Sequence, residues 1–252
     1  LPSRSDDERA TMQALLDEDC RCLVQVGDAK NLRRTLTLTA LLVELQLPMV
    51  LALNMHDEAA ARGLTVDTDA LGEALGMPVL ATVATGGEGI GQLTRDIADA
   101  RLPESLLHYD ADDELAIART ATFIAERAPH PRLAARGLAI LYLGGDSVVE
   151  SWLRTRAGDA YGELENLRKM AVDLSEEPLP AALARERSQA ADALAGRVIS
   201  RSIQSSPLRS QRVGQAVVHP FWGIPILLAV LFAVYEFVGV FGATTLVGLL
   251  EE

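Results

Sequence analysis

The sequence of 252 residues is poor in cysteine, in basic charge and in phosphate-binding glycine motifs. Its two cysteines, Cys20 and Cys22, are too few for a disulfide framework. On a strand their C-x-C spacing would turn both side chains to one face, and a pair of buried free thiols is favoured over metal ligation. Formal net charge is −12, which argues against a general nucleic-acid surface. The opening stretch, LPSRSDDERA, has neither an apolar signal core nor a starting Met, so a piece of a longer protein is expected. No G-x-x-x-x-G-K-[ST] run occurs. The phosphate cradle, its lysine and its Mg²⁺-binding hydroxyl are therefore missing from this chain.

What is present is a large apolar fraction, 49% of residues, arranged in alternating patterns. CLVQVGDA reads as a strand, and NLRRTLTLTALLVELQL has helical apolar spacing. PMVLALN is a near-continuous apolar run of the kind buried in parallel sheets. DEAAARG and DTDALGEALG read as short helices closed by Gly63 and Gly76. MPVLATVA is a third strand and GIGQLTRDIADAR a helix. This order implies a parallel sheet with helices on its faces, with ligands bound beyond the carboxyl ends of the strands.

Two such strand ends carry chemistry. In VLALNMHDEA an aliphatic strand stops at Asn54, followed by Met55, His56 and Asp57. Guanine offers donors at N1 and N2 beside the acceptor O6. A carboxylate accepts from N1 and N2 together, a contact adenine cannot make, and buried polar groups left unpaired cost on the order of 1–3 kcal/mol each. An Asn three residues earlier can bond the base and tie the neighbouring loop. A backbone N–H from the Gly-rich VATGGEG loop can meet O6. His56 occupies a variable slot and is expected to face outward. A dinucleotide loop in GGEGIG is the weaker reading, because the last glycine and a following strand-end acid are absent.

Residues 102–215 hold four further stretches of helical spacing, DDELAIARTATFIAERA, HPRLAARGLAILYLGG, DAYGELENLRKMAVDL and LPAALARERSQAADALAGRVISRSI, which make a small all-helical domain. Tyr109, Trp152 and Tyr161 read as core or edge aromatics, and His108, His130 and His219 as surface or cap residues, not metal ligands. From Phe221 to Leu250 only Glu236 is charged, which exceeds the ~20 residues needed to span a hydrocarbon core. Arg197, Arg201, Arg209 and Arg212 precede it, so residues 1–215 are expected on the cytoplasmic side.

The order of these motifs resembles the ferrous iron transport protein B (FeoB) family. DAKNLRRTLTLTALLVELQLPMVLALNMHDEAAARGL is similar to its G domain, where N-M-x-D stands for the N-K-x-D of most GTPases. In GMPVLATVATGGEGIGQL, Val83-Ala84-Thr85 takes the place of the Ser-Ala-Lys loop. SDDERATMQALL resembles the region after the second switch, and HPFWGIPILLAVLFAVYEFVGVFGA the entry to the first membrane helix. The D-x-x-G switch motif is not recognised at its place before the first strand, since Ser3 follows Leu1-Pro2. The resemblance implies a partial α/β G domain of P-loop NTPase type (1–101), an all-α coupling domain (102–215) and one transmembrane helix (216–252). It implies Asn54, Met55, Asp57, Val83, Ala84 and Thr85 as readers of GTP or GDP, with Mg²⁺ in the intact protein held by residues outside this chain. Fe²⁺ as cargo, a bacterial inner-membrane location, a lipid bilayer as partner, a possible homo-oligomer and no nucleic-acid partner follow. The alternative is a membrane-tethered guanine-nucleotide-binding regulator without transport activity.

Overall fold

The computed structural model describes residues 5–174, 177–201, 217, 221 and 223–237. Helix α1 (Asp6–Asp17) opens on a capping box: Ser5 Oγ accepts the Glu8 N–H and the Glu8 carboxylate accepts the Ser5 N–H, both at 3.2 Å. Strand β1 (Leu23–Asp28) and helix α2 (Leu32–Leu42) follow. The expected long helix gives way to a 3-10 turn over Val43–Leu45, where Gln46 adopts a left-handed φ of 51° and ends it. Strand β2 (Met49–Asn54), helix α3 (His56–Ala61), strand β3 (Leu64–Val66), helix α4 (Thr68–Leu75), strand β4 (Val79–Ala81) and helix α5 (Ile90–Ala98) complete the α/β part.

The sheet has the order β1-β2-β4 and is parallel throughout, with Asp28 opposite Asn54 and Leu53 opposite Ala81. Strand β2 is central and covered on both faces, which explains its unbroken apolar run. Strand β1 is different. Its outer edge has no partner among the described residues, and Val26 is 66% exposed beside the exposed Val24.

The helical part comprises α6 (Ala111–Arg127), α7 (Ala135–Leu143), α8 (Ser147–Ala157), α9 (Tyr161–Leu174) and α10 (Leu179–Val198). Helix α8 was not among the four expected helical stretches. Asp146 caps it, accepting the Val148 and Val149 N–H groups at 3.0 Å. Trp152 on α8 and Tyr161 at the start of α9 are buried in this core, as expected of core aromatics. The last expected helix does not reach Ile203. It stops at Val198, and β5 (Ile199–Arg201) turns to pair antiparallel with β3, Thr65 opposite Ser200.

Two cores share elements across the sequence. Helix α1 contributes Met12, Leu15 and Leu16 to the core of the helical part. Helix α10 gives Leu179 and Leu183 to that core and Ala191, Leu194, Ala195 and Val198 to the core under the sheet. Between them lies a polar seam. Glu44 is 2% exposed; it accepts from Arg136 Nε at 3.0 Å and from the Ser105 hydroxyl. Arg136 also grips Glu114 through both terminal nitrogens, at 2.5 and 3.0 Å, and lies over the Tyr109 ring. Arg187 is 3% exposed, and burial pulls its guanidinium below its ordinary pKa.

Residues up to Ala60 and from Leu64 onward through Arg201 belong to one compact unit, and residues 223–237 fall in a second. The latter form α11 (Gly223–Val234) and a short continuation. No helix among the described residues is long and apolar enough to cross a membrane. The rest of the apolar run, and His219, lie outside the described residues.

Candidate functional site

Parallel pairing in register brings the carboxyl ends of β1, β2 and β4 together, and with them Asp28, Asn54 and the loop after Ala81. The Asn54 Oδ1 accepts the Ala84 N–H at 3.0 Å and lies 3.5 Å from the Thr82 hydroxyl. The side chain thus spans from β2 to the 83–89 loop, the tying role expected of it. Its Nδ2 amide has no protein partner among the described residues. Met55 takes a left-handed φ of 59°, which breaks the strand and lets α3 start at His56. The turn is pinned by His56 N–H donating to Thr82 O at 3.3 Å.

Asp57 lies in the first turn of α3, exposed and without a hydrogen-bond partner among the described residues. Glu58 beside it accepts from Lys30 Nζ at 2.6 Å. Lys30 belongs to a turn capped by Asp28, whose Oδ1 accepts the Lys30 N–H at 2.9 Å and whose Oδ2 accepts from Asn31 at 2.8 Å. The loop after β1 therefore braces α3. Lys30 and Asp28 were not singled out from the sequence, because the contact joins residues 28 apart.

The second loop folds on itself. Val83 and Glu88 exchange backbone bonds at 3.1 and 3.2 Å, and the Gly86 and Gly87 N–H groups turn back onto Val83 and Ala84. Gly89 ends the loop with φ 76°, and a Cβ there would collide with Ala81 O. Ala84 and Thr85 are exposed at the tip, and Val83 is half-buried at its base. The Ala84 N–H is taken by Asn54, whereas the Thr85 N–H has no partner among the described residues. The Asn54 side chain thus joins the two strand-end loops, with the Asn54 Nδ2 and the Thr85 N–H left as donors and Asp57 exposed in the first turn of α3.

His56 differs from expectation. It is half-buried, and its Nδ1 is buried without a hydrogen-bond partner among the described residues. Cys20 and Cys22 are free and half-buried, and burial raises the Cys22 thiol pKa. No group of three or more His, Cys, Asp or Glu side chains among the described residues could hold a metal. His130 serves as a turn cap: its Nδ1 accepts the Arg132 and Leu133 N–H groups at 3.1 and 2.9 Å.

A family model described as ferrous iron transport protein B matches residues 1–97, and one described as FeoB cytosolic helical domain matches residues 109–200. The chain is 33% identical to the Fe(2+) transporter FeoB of Salmonella typhimurium over 235 residues, 91% of this chain and 29% of that protein. Identity to the Escherichia coli K12 Fe(2+) transporter FeoB is 32% over the same length. The chain thus spans less than a third of the length of these relatives. Among solved structures, mGMPPNP-bound NFeoB from S. thermophilus superposes with a TM-score of 0.68 at 28% identity, covering 79% of this chain and 75% of that one. The cytosolic domain of L. pneumophila FeoB gives 0.67 at 25% identity, covering 80% and 76%.

Proposed function

The chain belongs to the ferrous iron transport protein B family, and from that premise we propose that it is the guanine-reading and coupling part of a GTP-dependent Fe²⁺ transporter. Asp57 accepts from guanine N1 and N2, the Asn54 amide donates to the base, and the Thr85 N–H meets O6. Met55, Val83 and Ala84 shape the walls of that corner. The observation that carries this reading is the Asn54–Ala84 bond of 3.0 Å, which fixes the two loops at one spacing while Asp57 stays unpaired among the described residues. NMR titration of the chain with nucleosides tests it. Guanosine should shift the resonances of Asn54, Asp57 and Thr85, and adenosine should not; equal shifts with both bases would contradict base reading.

The residues present fit the base but not the phosphates. With no P-loop lysine or hydroxyl in the sequence, nothing here would hold Mg²⁺ or stabilise charge on a transferred phosphoryl group. The purified chain should therefore not turn over GTP, although the intact protein is read as a GTPase. A phosphate-binding element has a place to pack, namely the open edge of β1 with Val24 and Val26 bare.

Residues 221–250 are proposed to cross the inner membrane with the α/β and helical parts in the cytoplasm. The composition of that run supports this, as do the exposed apolar side chains of α11, among them Leu227, Leu231 and Phe232. Glu236 is then expected to face other helices or a wet cavity, because a carboxylate against lipid is costly. Leu231→Arg should reduce membrane integration, and integration at the original level would contradict the span.

A further inference from the structure

We propose that the β3–β5 ribbon is a strap that mechanically joins the strand-end corner to the far end of α10 and to the chain that follows it. This rests on the guanine reading above only for what the strap transmits; the strap itself is drawn from backbone pairing. Helix α3, which carries Asp57, is separated from β3 by Arg62 and Gly63 alone. Strand β3 pairs with β5 through Leu64–Arg201, Thr65–Ser200 and Val66–Ile199, and the Asp67 N–H donates to Val198 O at 2.9 Å.

Each strand of the ribbon is anchored by its own neighbours. Strand β5 continues α10 without a break, and the last turns of α10 bury Ala191, Leu194, Ala195 and Val198 among Leu36, Val66, Leu71 and Leu75. On the other side, Asp67 both donates its N–H to Val198 and caps α4 by accepting the Ala70 N–H at 2.9 Å. The bonds of a two-stranded ribbon are backbone bonds of fixed geometry, and an isolated ribbon this short is marginal without such packing. A shift of α3 on binding therefore has a direct path to residue 201, and in the sequence residue 201 leads on to the apolar run. Reciprocity follows: a pull on the chain beyond Arg201 changes the corner by the same free energy.

Native-state hydrogen exchange on the whole 252-residue chain tests this. Ser200→Pro removes a strand donor and strains the ribbon from the α10 side. Exchange should accelerate about tenfold not only at 64–66 but across α3 and residues 54–57, with α6 and α9 unchanged. Acceleration confined to the ribbon itself would overturn the proposal. Should the proline variant fail to fold, a reversible lock gives the opposite sign. In a Cys20→Ser/Cys22→Ser background, oxidised Leu64→Cys/Arg201→Cys should slow exchange in α3, and reduction should restore it; no change in α3 on locking would also overturn the strap. Guanosine 5′-diphosphate supplies a separate arm. Slowing at 54–57 together with 199–201 supports transmission, and slowing at 54–57 alone overturns it. No slowing at either place counts against the guanine reading, and the strap then stands or falls on the proline and disulfide arms.

Discussion

At the strand ends Asp57 stands exposed with no partner among the described residues, whereas Glu44, 2% exposed, is met by Arg136 and Ser105. Both carboxylates come from short segments that follow an element of the sheet part. The first is left unsatisfied at the surface, where water solvates it and a ligand can replace that water at small cost. The second is buried, and leaving a charge unpaired there is expensive. Burial thus separates the charges available for recognition from those that hold the two cores together. It also separates two kinds of experiment, since damage at the seam should appear in stability and damage at the corner in base choice.

The largest effect is expected at the seam. Arg136→Met leaves Glu44 and Glu114 without their guanidinium, and unfolding in urea should show a loss of about 3 kcal/mol, the order found when one partner of a buried pair is removed. The double variant Glu44→Gln/Arg136→Met removes the orphaned charge and should recover part of that loss. Equal destabilisation in the single and double variants would mean that packing, not charge, sets the cost.

An intermediate effect is expected where the corner depends on backbone shape. Gly89→Ala must tolerate φ 76° and a Cβ driven against Ala81 O. A cost of roughly 1–3 kcal/mol is expected, with the change in amide resonances concentrated in residues 81–90. A variant as stable as the parent would show that the 83–89 loop rearranges freely.

The smallest effect at neutral pH is expected at Tyr109. Its hydroxyl is buried without a hydrogen-bond partner among the described residues, so Tyr109→Phe should change stability little near pH 7. The pH dependence should change more. Burial, then the Glu44 carboxylate, push the Tyr109 phenol far above its ordinary value, against the pull of Arg187 and Arg136. The unfolded chain then loses this proton first, at about pH 10, so stability contributed by the neutral phenol is complete below that pH and falls as pH rises above it. Alkaline denaturation monitored by circular dichroism should be shallower in Tyr109→Phe; an unchanged alkaline limb would contradict the burial of the phenol.

The corner was legible in the sequence and the seam was not, for a physical reason. Asn54 ends one sheet strand and Val83-Ala84-Thr85 follows the next, so strand-end logic was enough to pair the two loops that the Asn54–Ala84 bond joins. Glu44, Ser105, Tyr109, Glu114, Arg136 and Arg187 are scattered along the chain, and only the packing of α2, α6, α7 and α10 unites them. The strands β1, β2 and β4 announced themselves by apolar runs. Strands β3 and β5, three residues each, did not, because three residues show no period. The β-branched pair Val198-Ile199 after a helical pattern was the available signal for the end of α10. Helix α8 was signalled by Gly145-Asp146 ahead of Val148, Val149, Trp152 and Leu153, a capped apolar face.

The most direct test of base reading is the Asp57→Asn chain titrated with guanosine and with xanthosine. Xanthine carries a carbonyl at C2 where guanine has an amine, so an amide in place of the carboxylate can donate to it while still accepting from N1. Because Asp57 is exposed, the substitution should leave stability within about 0.5 kcal/mol. The account predicts that the preference inverts, guanosine weakening and xanthosine strengthening by about tenfold each, the scale of one buried polar mismatch. An Asp57→Asn chain that binds both nucleosides as the parent does would contradict the assignment of this corner as the guanine reader.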